Sequence, residues 1–327
     1  MKKIITTLAI LIFISGNSFT QFNKAGRTAM QFLKIGIGAR QVGSGEASIA
    51  GVQDVNSIFW NPAEITGIQN AEASFTYTQW IADLNLFSGA IGYTFQNIGT
   101  FDFNYISLNY GQIPEALTTS PTGNFDTRTG NTFSGSDLAV GIGFAKQFTD
   151  KLSMGLNARY IRENLFIYSS SLWSFDIGSF YNTGWKGIKI GMSAQNFSTP
   201  ARFLYDKEET QQTYDLPLVF RIGFSIDLFG GQDLFLEGDP SVQKLTINVD
   251  AIHSNDYGER LNMGFEYTLL DIFTLRGGYK LNYDEGNLSL GVGVKYNTGP
   301  LLLRFDYTYV NYDFLESPNR FTISIGF

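Results

Sequence analysis

The sequence predicts an all-β protein, a 14-stranded antiparallel transmembrane β-barrel with an N-terminal hatch, or plug, segment. Three observations support this fold class. The 327-residue chain has 15% aromatic residues and 35 glycines, but only 16% charged residues, against roughly 25% in an ordinary soluble domain. Much of the chain alternates between apolar and polar side chains. An apolar run follows two N-terminal lysines, which is typical of an exported protein.

The composition excludes several other classes of protein. Disordered chains have few aromatic residues and many charges, and the absence of cysteine excludes a disulfide framework or a cysteine-ligated zinc fold. A mean hydropathy of −0.05 is too low for a bundle of transmembrane helices. The net charge of −7, with no basic run, argues against nucleic-acid binding. With one histidine and no phosphate-binding loop, we expect no metal and no cofactor.

Residues 1–20 are predicted to be a signal peptide. Lys2 and Lys3 form its basic region, and residues 4–14 form its apolar region. This run is shorter than the ~20 residues that a membrane-spanning helix needs. Small residues precede Gln21, so we expect the mature chain to start near that residue. The protein is therefore expected in the outer membrane of a Gram-negative bacterium.

Residues 21–70 are predicted to form the hatch. They contain seven glycines and do not alternate like a strand. Asp54 is a candidate N-cap for a short helix, which Pro62 would limit. A segment of this kind that precedes a closed barrel is expected to fold into its lumen.

Residues 71–327 are predicted to form the barrel. In residues 218–228, for example, Leu, Phe, Ile, Phe, Ile and Leu alternate with Val, Arg, Gly, Ser and Asp. A strand places such sets on opposite faces. A secreted β-sandwich also alternates, but its polar face would be rich in Lys and Glu. Here that face is rich in Gly, Ser and Asn, which suits a barrel interior, while the aromatic face suits lipid.

The alternating segments number fourteen, and most are close to the ~9–11 residues of a tilted membrane strand. An even number is expected for bacterial barrels and places both termini in the periplasm. In the third segment the apolar parity changes at Ile106, which suggests a β-bulge. We interpret Trp80, Trp173 and Trp185 as parts of interfacial aromatic girdles. The predicted strands are 71–81, 86–97, 99–110, 136–148, 152–162, 171–182, 187–197, 217–228, 244–253, 260–269, 272–283, 287–297, 300–311 and 319–327.

Charged residues on the polar parity have mixed signs, which predicts paired bridges inside a plugged barrel. Glu266 and Arg276 flank one short turn symmetrically and are expected to face each other across the hairpin. His253, Ser254 and Asn255 contain residue types of a hydrolase triad, but neighbouring residues of a strand point to opposite faces. We therefore expect a rim histidine, no catalytic residues and no enzymatic activity.

Several motifs resemble the PorV/PorQ family of FadL-like outer-membrane barrels. The resemblance covers nearly the whole mature chain, and its most specific part is the hatch motif of Gly38, Ala39 and Arg40 with Asp54 and Trp60-Asn61-Pro62-Ala63. The terminal Phe327 resembles the outer-membrane assembly signal of such barrels. The segments that carry the resemblance are residues 25–40, 54–63, 195–196, 216–217, 264–267, 275–279 and 320–327.

The resemblance implies a 14-stranded barrel with an N-terminal hatch and two possible roles. One is docking of exported cargo in the type IX secretion system, through the external loops. The other is FadL-like passive transport of hydrophobic small molecules across the outer membrane. Expected partners are outer-membrane lipid, the barrel assembly machinery, and either secreted cargo and other secretion components or hydrophobic solutes. Glu46 and Glu64 stand where the family usually has glycine, and these acids argue against a purely apolar transport path.

Overall fold

Eighteen strands make up most of the computed structural model, which describes residues 26–116, 128–205, 208–231 and 233–327. The predicted signal peptide lies outside the described residues. No helix among these residues is long and apolar enough to span a membrane. In chain order the strands are β1 (Ala71–Gln79), β2 (Asn85–Phe95), β3 (Gly99–Asn109), β4 (Ile113–Ala116), β5 (Arg128–Phe133), β6 (Gly135–Gln147), β7 (Leu152–Leu165), β8 (Tyr168–Asn182), β9 (Ile188–Ser198), β10 (Ala201–Tyr205), β11 (Glu208–Tyr214), β12 (Val219–Phe229), β13 (Gln243–Ser254), β14 (Arg260–Leu269), β15 (Phe273–Leu281), β16 (Leu288–Asn297), β17 (Leu302–Asn311) and β18 (Asn319–Gly326).

Fourteen of these strands form a closed antiparallel barrel, which confirms the predicted fold. Each barrel strand pairs with the next barrel strand along the chain, and β1 closes the ring by pairing with β18. Each of the fourteen predicted segments coincides with one barrel strand to within three residues at either end. The other four strands form two hairpins: β4 with β5, and β10 with β11, which extends from β8.

The alternation along the strands separates an apolar outer face from a mostly polar inner face. Along β7, side chains switch between buried and exposed at nearly every residue. The exposed residues of the barrel strands include many Phe, Tyr, Leu and Ile side chains, whereas Ser, Thr, Asn and paired charges are buried. Trp173 and Trp185 are exposed, at 57% and 62%, as a girdle requires. Trp80 is not, because it packs against the buried core beside Arg320 and Tyr312.

The bulge that we expected in β3 is absent, because β3 pairs without any register shift with both β2 and β6. Ile106 and Leu108 instead point inward and are 3% exposed. Their apolar side chains belong on the inner face because they meet the hydrophobic core formed with the N-terminal residues. The change of parity therefore reflects what fills the barrel and not a defect in the strand.

Residues Gly26–Asn70 pack inside the ring of strands. They contain one short α-helix, Ala39–Gly43, and three 3-10 helices, Gln31–Lys34, Val55–Phe59 and Pro62–Gly67. The α-helix contacts β15 to β18, and the last 3-10 helix contacts β3, β6, β7 and β8. Most side chains between Thr28 and Ile68 are buried. This arrangement fills the lumen with the same part of the chain that precedes the first strand.

The hydrophobic core lies between these N-terminal residues and one side of the inner wall. Met30, Ile58 and Ile65 are fully buried and belong to one cluster with Ile106 and Ile161 of the wall. Burial of each large apolar side chain contributes ~1.5–3 kcal/mol. The core therefore holds the N-terminal residues in place on this side.

Glycines of the wall let the backbone of the N-terminal residues approach on the opposite side. A Cβ atom at Gly264 or Gly278 would overlap the backbone of Ser44 or Gly45. Gly45 also has a φ of 67°, a left-handed conformation that favours glycine. These positions explain part of the high glycine content of the strands.

The two ends of the barrel differ in their connections. The end that holds Ala71 and Phe327 is the predicted periplasmic end, and it has short turns except for residues 230–242 between β12 and β13. The external end carries both hairpins. Strands β7 and β8 each extend about three residues further than predicted and are joined by only two residues, Phe166 and Ile167. Both hairpins lie in regions, residues 111–135 and 198–216, where no strand is predicted from the sequence.

Candidate functional site: the filled interior of the barrel

The predicted hatch motif begins with Gly38-Ala39-Arg40, at the start of the α-helix. The Ala39 amide donates to Thr322 Oγ1 at 2.9 Å, and Thr308 Oγ1 donates to the Ala39 carbonyl at 2.5 Å. Gly38, the N-cap residue of this helix, has a φ of 85°, a backbone conformation that favours glycine. Two wall strands, β17 and β18, therefore hold the first turn of this helix through its backbone.

Arg40 connects the N-terminal residues to the barrel wall through a bidentate ion pair. Its Nε and Nη2 donate to the two carboxylate oxygens of Glu266 at 2.9 and 2.8 Å. Its Nη1 lies 3.2 Å from Asp54 Oδ2. Arg40 is thus paired on one side with the wall and on the other with its own segment. Such forked contacts are the strongest form of carboxylate recognition.

The same ion network extends along the wall. Glu266 lies opposite Arg276 in the β14–β15 ladder, and Arg276 Nε donates to Glu266 Oε2 at 2.7 Å. Arg276 Nη1 also donates to Asp306 Oδ1 at 2.6 Å. Arg304 pairs with Glu72 and lies 3.7 Å from Asp54. The side chains of Arg276 and Asp306 are only 4% and 5% exposed. Each therefore needs the opposite charge of the other to offset the cost of burying its own charge.

Asp54 is the N-cap that we predicted for a short helix. Its Oδ1 accepts from the Asn56 amide at 3.0 Å, and the Ser57 hydroxyl accepts from the Asp54 amide, so that a capping box forms. Gln41 Nε2 donates to the same Oδ1 at 2.9 Å. The second carboxylate oxygen of Asp54, Oδ2, faces Arg40 and Arg304. The buried carboxylate of Asp54 therefore caps the N-terminus of a helix and also takes part in the ion network.

The second part of the motif, Trp60-Asn61-Pro62-Ala63, connects the N-terminal residues to β7 and β8. Asn61 Nδ2 donates to the carbonyls of Ile49 and Ser179 at 2.8 and 3.0 Å, and its Oδ1 caps the Ala63 amide. Pro62 occupies the first helical turn, where it is tolerated.

Trp60 fixes the backbone before the α-helix, because its Nε1 donates to the Ile37 carbonyl at 2.9 Å. A Cβ atom at Gly155 would overlap the backbone of Pro62. The motif residues therefore pack into a space that the wall leaves open for them. We infer a positioning role for both parts of the motif.

Residues of the external mouth hold the beginning of the described chain. The Met30 amide donates to Glu163 Oε2 at 2.9 Å, and Lys34 Nζ lies 2.5 Å from Asp256 Oδ2. Thr28 Oγ1 donates to the same Asp256 oxygen at 3.1 Å. Sequence reasoning did not identify Asp256 or Glu163, because their partners lie 133 or more residues away along the chain.

The two acids that depart from the family pattern have different environments. Glu46 lies 3.0 Å from Lys280 Nζ. Burial opposes ionisation of Glu46, but the charge and hydrogen bond of Lys280 outweigh it and lower the pKa of Glu46. Glu64 is fully buried, and neither of its carboxylate oxygens has a hydrogen-bond partner. Burial, with a smaller contribution from the charges of Asp250 and Asp54, raises the pKa of Glu64 well above its usual value.

Cavities remain on both sides of the N-terminal residues. A cavity of about 70 Å³ lies toward the external mouth beside Trp60 and Arg221. A pocket of about 230 Å³ lies toward the periplasmic end and is lined by the ion network of Arg40, Glu266 and Arg276. Both volumes are below the ~300–1,000 Å³ of typical small-molecule pockets, and neither cavity could hold a folded protein domain.

His253 lies at the rim of the barrel, and it does not form a catalytic triad with Ser254 and Asn255. Its Nδ1 lies 2.6 Å from Glu259 Oε1, and its side chain is 57% exposed. Ser254 points inward, is 7% exposed and donates to Asp256. The two side chains thus lie on opposite faces of β13. Among the described residues no group of three or more His, Asp or Glu side chains is arranged to hold a metal ion.

The C-terminal strand closes the barrel next to the N-terminal residues. The Phe327 amide donates to the Ala71 carbonyl at 2.9 Å, and Asn70 Nδ2 donates to the Phe327 carbonyl at 3.2 Å. The ring of Phe327 is 62% exposed at the predicted periplasmic end. An exposed terminal aromatic side chain is compatible with the predicted assembly signal.

Residues 18–232 match the family model described as type IX secretion system protein PorV. The match spans about two thirds of the chain and includes the hatch motif. The chain belongs to the PorV family. No curated protein matches the sequence at a significant level.

Solved structures similar to this PorV-family chain are FadL-like barrels. The toluene transporter TodX of Pseudomonas putida aligns over 89% of this chain and 97% of its own, with a TM-score of 0.60 and 11% identity. The toluene transporter TbuX of Ralstonia pickettii covers the same shares, with a TM-score of 0.56 and 13% identity. A FadL homologue of Pseudomonas aeruginosa aligns over 88% of this chain and 97% of its own, with a TM-score of 0.52 and 11% identity. At these identities the likeness shows the fold.

Replacement of Arg276 tests the ion network. Arg276→Ala leaves Asp306 with an unpaired buried charge and removes one of the two arginines that bind Glu266, so we expect a loss of ~3–5 kcal/mol of stability. Lys295→Ala is the matched control, because it removes an ion pair whose acid, Asp271, is 59% exposed; we expect less than ~1 kcal/mol. Folded barrels migrate differently from boiled ones on gels, and this heat-modifiable mobility measures the folded fraction. Unchanged folding of Arg276→Ala would show that the pair is not structural.

The pH dependence of stability tests the environment of Glu64. Its usual pKa is 4.5. Above that pH the unfolded chain loses the proton that the folded state retains, so stability decreases as the pH rises toward the raised pKa. We expect Glu64→Gln to unfold at a temperature at least ~3 °C above wild type at pH 8, and closer to wild type at pH 4.

The exposed Glu237→Gln is the control for this measurement. Gel samples heated in steps give the temperature at which the folded band converts to the unfolded band. Parallel pH profiles of wild type and Glu64→Gln would contradict this account.

Proposed function

We propose that the protein acts in type IX secretion at the outer membrane of a Gram-negative bacterium, where it docks exported proteins at its external mouth and has no enzymatic activity of its own. Membership of the PorV family supports the secretion role. In this proposal, residues 1–20 direct export and are removed, and the barrel assembly machinery inserts the mature chain with the help of Phe327.

The observation that carries the docking role is the filled interior. The N-terminal residues bind the wall through Arg40–Glu266 and through backbone hydrogen bonds to Asp250, which accepts from the Ser48 and Ile49 amides at 2.7 and 3.1 Å. In this proposal residues 21–70 act as a fixed hatch. The cavities beside Trp60 and Arg40 are about 70 and 230 Å³, and the pocket of about 470 Å³ beside Thr28 lies at the external mouth. Cargo would therefore contact the external surface and would not pass through the barrel.

The external end offers apolar side chains for such contacts. Phe314 and Leu315, between β17 and β18, are 91% and 50% exposed. The Asp313 and Phe314 amides donate to the Glu285 carboxylate, at 2.7 and 3.2 Å, so the loop is held in one conformation. Adjacent exposed apolar side chains mark protein–protein contacts more often than scattered single ones do.

A second candidate function is passive transport of hydrophobic small molecules. It is supported by an irregular part of the wall, where β8 and β9 change register and β9 stops pairing with β12 after Gln195. Asn196 has a φ of 67° and bridges this place by donating to the Pro217 carbonyl at 2.7 Å. A pocket of about 470 Å³, lined partly by Tyr168, Phe203 and Tyr214, lies at the external mouth. Two of the similar solved structures are toluene transporters.

Deletion of the gene separates the two candidates. If the protein docks cargo, mass spectrometry of the extracellular proteome should show loss of a set of secreted proteins, with unchanged uptake of toluene. If secretion is unchanged and toluene uptake falls, the docking role is wrong.

Loop variants test which surface docks the cargo. We expect Phe314→Ser with Leu315→Ser to reduce secretion at least ~10-fold, as for loss of a contact worth more than ~1.4 kcal/mol. The matched control is Phe235→Ser with Leu236→Ser, which changes the same residue types at the predicted periplasmic end, where they are 50% and 55% exposed. Equal secretion by both double variants, at equal barrel levels, would contradict docking at this loop.

A further inference from the structure

The small external cavity differs from the rest of the interior in its charge. It lies between the N-terminal residues and the inner faces of β7, β9, β12 and β13, and has a volume of about 70 Å³. Its lining includes four cations and only one acid, Glu46. The cations are Lys34, Arg159, Arg221 and Arg260. The whole chain, by contrast, has a net charge of −7.

Two of the four cations have their own carboxylate partners. Arg159 Nη2 lies 2.7 Å from Asp176 Oδ1, and Lys34 Nζ lies 2.5 Å from Asp256 Oδ2. Glu46 is held by Lys280. Among the described residues, neither Arg221 nor Arg260 has a carboxylate within 4 Å. The cavity therefore contains two arginines whose charge is not directly paired.

Arg221 is held in position by its neighbours, and one of its N–H donors has no hydrogen-bond partner. Its Nη1 donates to Gln195 Oε1, and its guanidinium lies 5.1 Å from the centre of the Trp60 ring. Gln195 is itself oriented by donating to the Phe59 carbonyl at 2.9 Å. The Nε of Arg221 is buried and has no hydrogen-bond partner. A buried donor of this kind is normally satisfied.

Arg159 repeats this pattern across the cavity. It is 4% exposed, and its Nη2 also donates to Asn196 Oδ1 at 2.6 Å. Its Nε is buried and unpartnered, like that of Arg221. Two guanidinium groups thus line one cavity, each with an N–H donor that the protein does not use.

Arg260 lies on the same cavity between two aromatic rings. Its guanidinium is 3.9 Å from the centre of the Tyr257 ring and 4.1 Å from that of Tyr283. Stacking of this kind orients a guanidinium. The Nε of Arg260 donates to the Asn282 carbonyl at 3.4 Å, and its Nη groups remain as donors for the cavity. Its side chain is only half-buried, unlike that of Arg159.

We propose that this cavity binds one oxyanion group, a carboxylate or a phosphate, with Arg221 as its main donor and Arg159 and Arg260 as further donors. On this measure of volume one water needs only ~10–15 Å³, so a cavity of about 70 Å³ is large enough for one such group. Glu46 would repel the anion, but Lys280, 3.0 Å away, offsets its charge. The proposal stands on the geometry of the cavity and is independent of the docking role.

Titration of the full mature chain in detergent micelles tests the proposal. Sodium phosphate and sodium acetate are added separately, with sodium chloride at matched ionic strength as the reference. Because Trp60 stacks on Arg221, tryptophan fluorescence reports binding. We expect a saturable change with at least one oxyanion, and the comparison of the two salts identifies the preferred group. A change no larger than that of chloride would overturn the proposal.

Single substitutions test which arginines bind the oxyanion. Arg221→Gln should weaken binding at least tenfold, and Arg260→Gln, at the half-exposed position, at least threefold. The control Arg162→Gln removes the same charge from an exposed position of β7 and should leave binding within twofold of wild type. If Arg221→Gln does not fold by heat-modifiable mobility, Arg260→Gln and the wild-type titration decide. Equal affinities of Arg260→Gln and Arg162→Gln would show that Arg260 does not contribute to binding and would overturn the proposed site.

Discussion

The ion pair between Arg40 and Glu266 joins the two parts of this molecule. Glu266 is an inward-facing carboxylate on a barrel strand, and without a partner its burial would cost several kcal/mol. Arg40 supplies that partner from a helix that the wall strands hold by its backbone. The second wall arginine, Arg276, then bridges Glu266 to Asp306. The polar side of the barrel and the N-terminal residues therefore stabilise each other, while Ile58 and Ile106 provide the matching apolar contact on the other side.

The alternation of side chains predicted the barrel well because the apolar and polar residues of each strand alternate within its own sequence. All fourteen barrel strands were identified, and the symmetric spacing of Glu266 and Arg276 around one turn indicated their contact. Contacts between distant parts of the chain were not predictable in this way. Nothing local indicates that Arg40 meets Glu266, 226 residues away, or that Lys34 meets Asp256. The inward orientation of Ile106 was missed for the same reason, since it depends on the residues that fill the lumen.

The filled interior gives the two sides of the protein different chemistry. Toward the periplasm, the ion network is fully paired among Arg40, Glu266, Arg276 and Asp306. Toward the outside, arginine donors remain unused around a small cavity, and apolar side chains project from the loops beyond it. A chain of the PorV family with this arrangement is suited to binding at its external mouth. The acid Glu64, where the family usually has glycine, adds a buried proton-sensitive group to the same N-terminal residues.

Disulfide trapping tests most directly whether residues 26–70 occupy the barrel. The chain has no cysteine, and a Cβ atom at Gly43 would lie 2.7 Å from Thr308 Oγ1 on the wall. Side chains at these two positions are therefore in direct contact, as the short Cβ separation of a disulfide, ~3.5–4.5 Å, requires. Gly43→Cys with Thr308→Cys should therefore cross-link on mild oxidation in folded, membrane-inserted protein, whereas Gly43→Cys with Ser170→Cys should not. The readout is the mobility of the boiled chain with and without reductant. If the first pair fails to cross-link while both of its thiols react with a maleimide, the N-terminal residues do not fill the barrel.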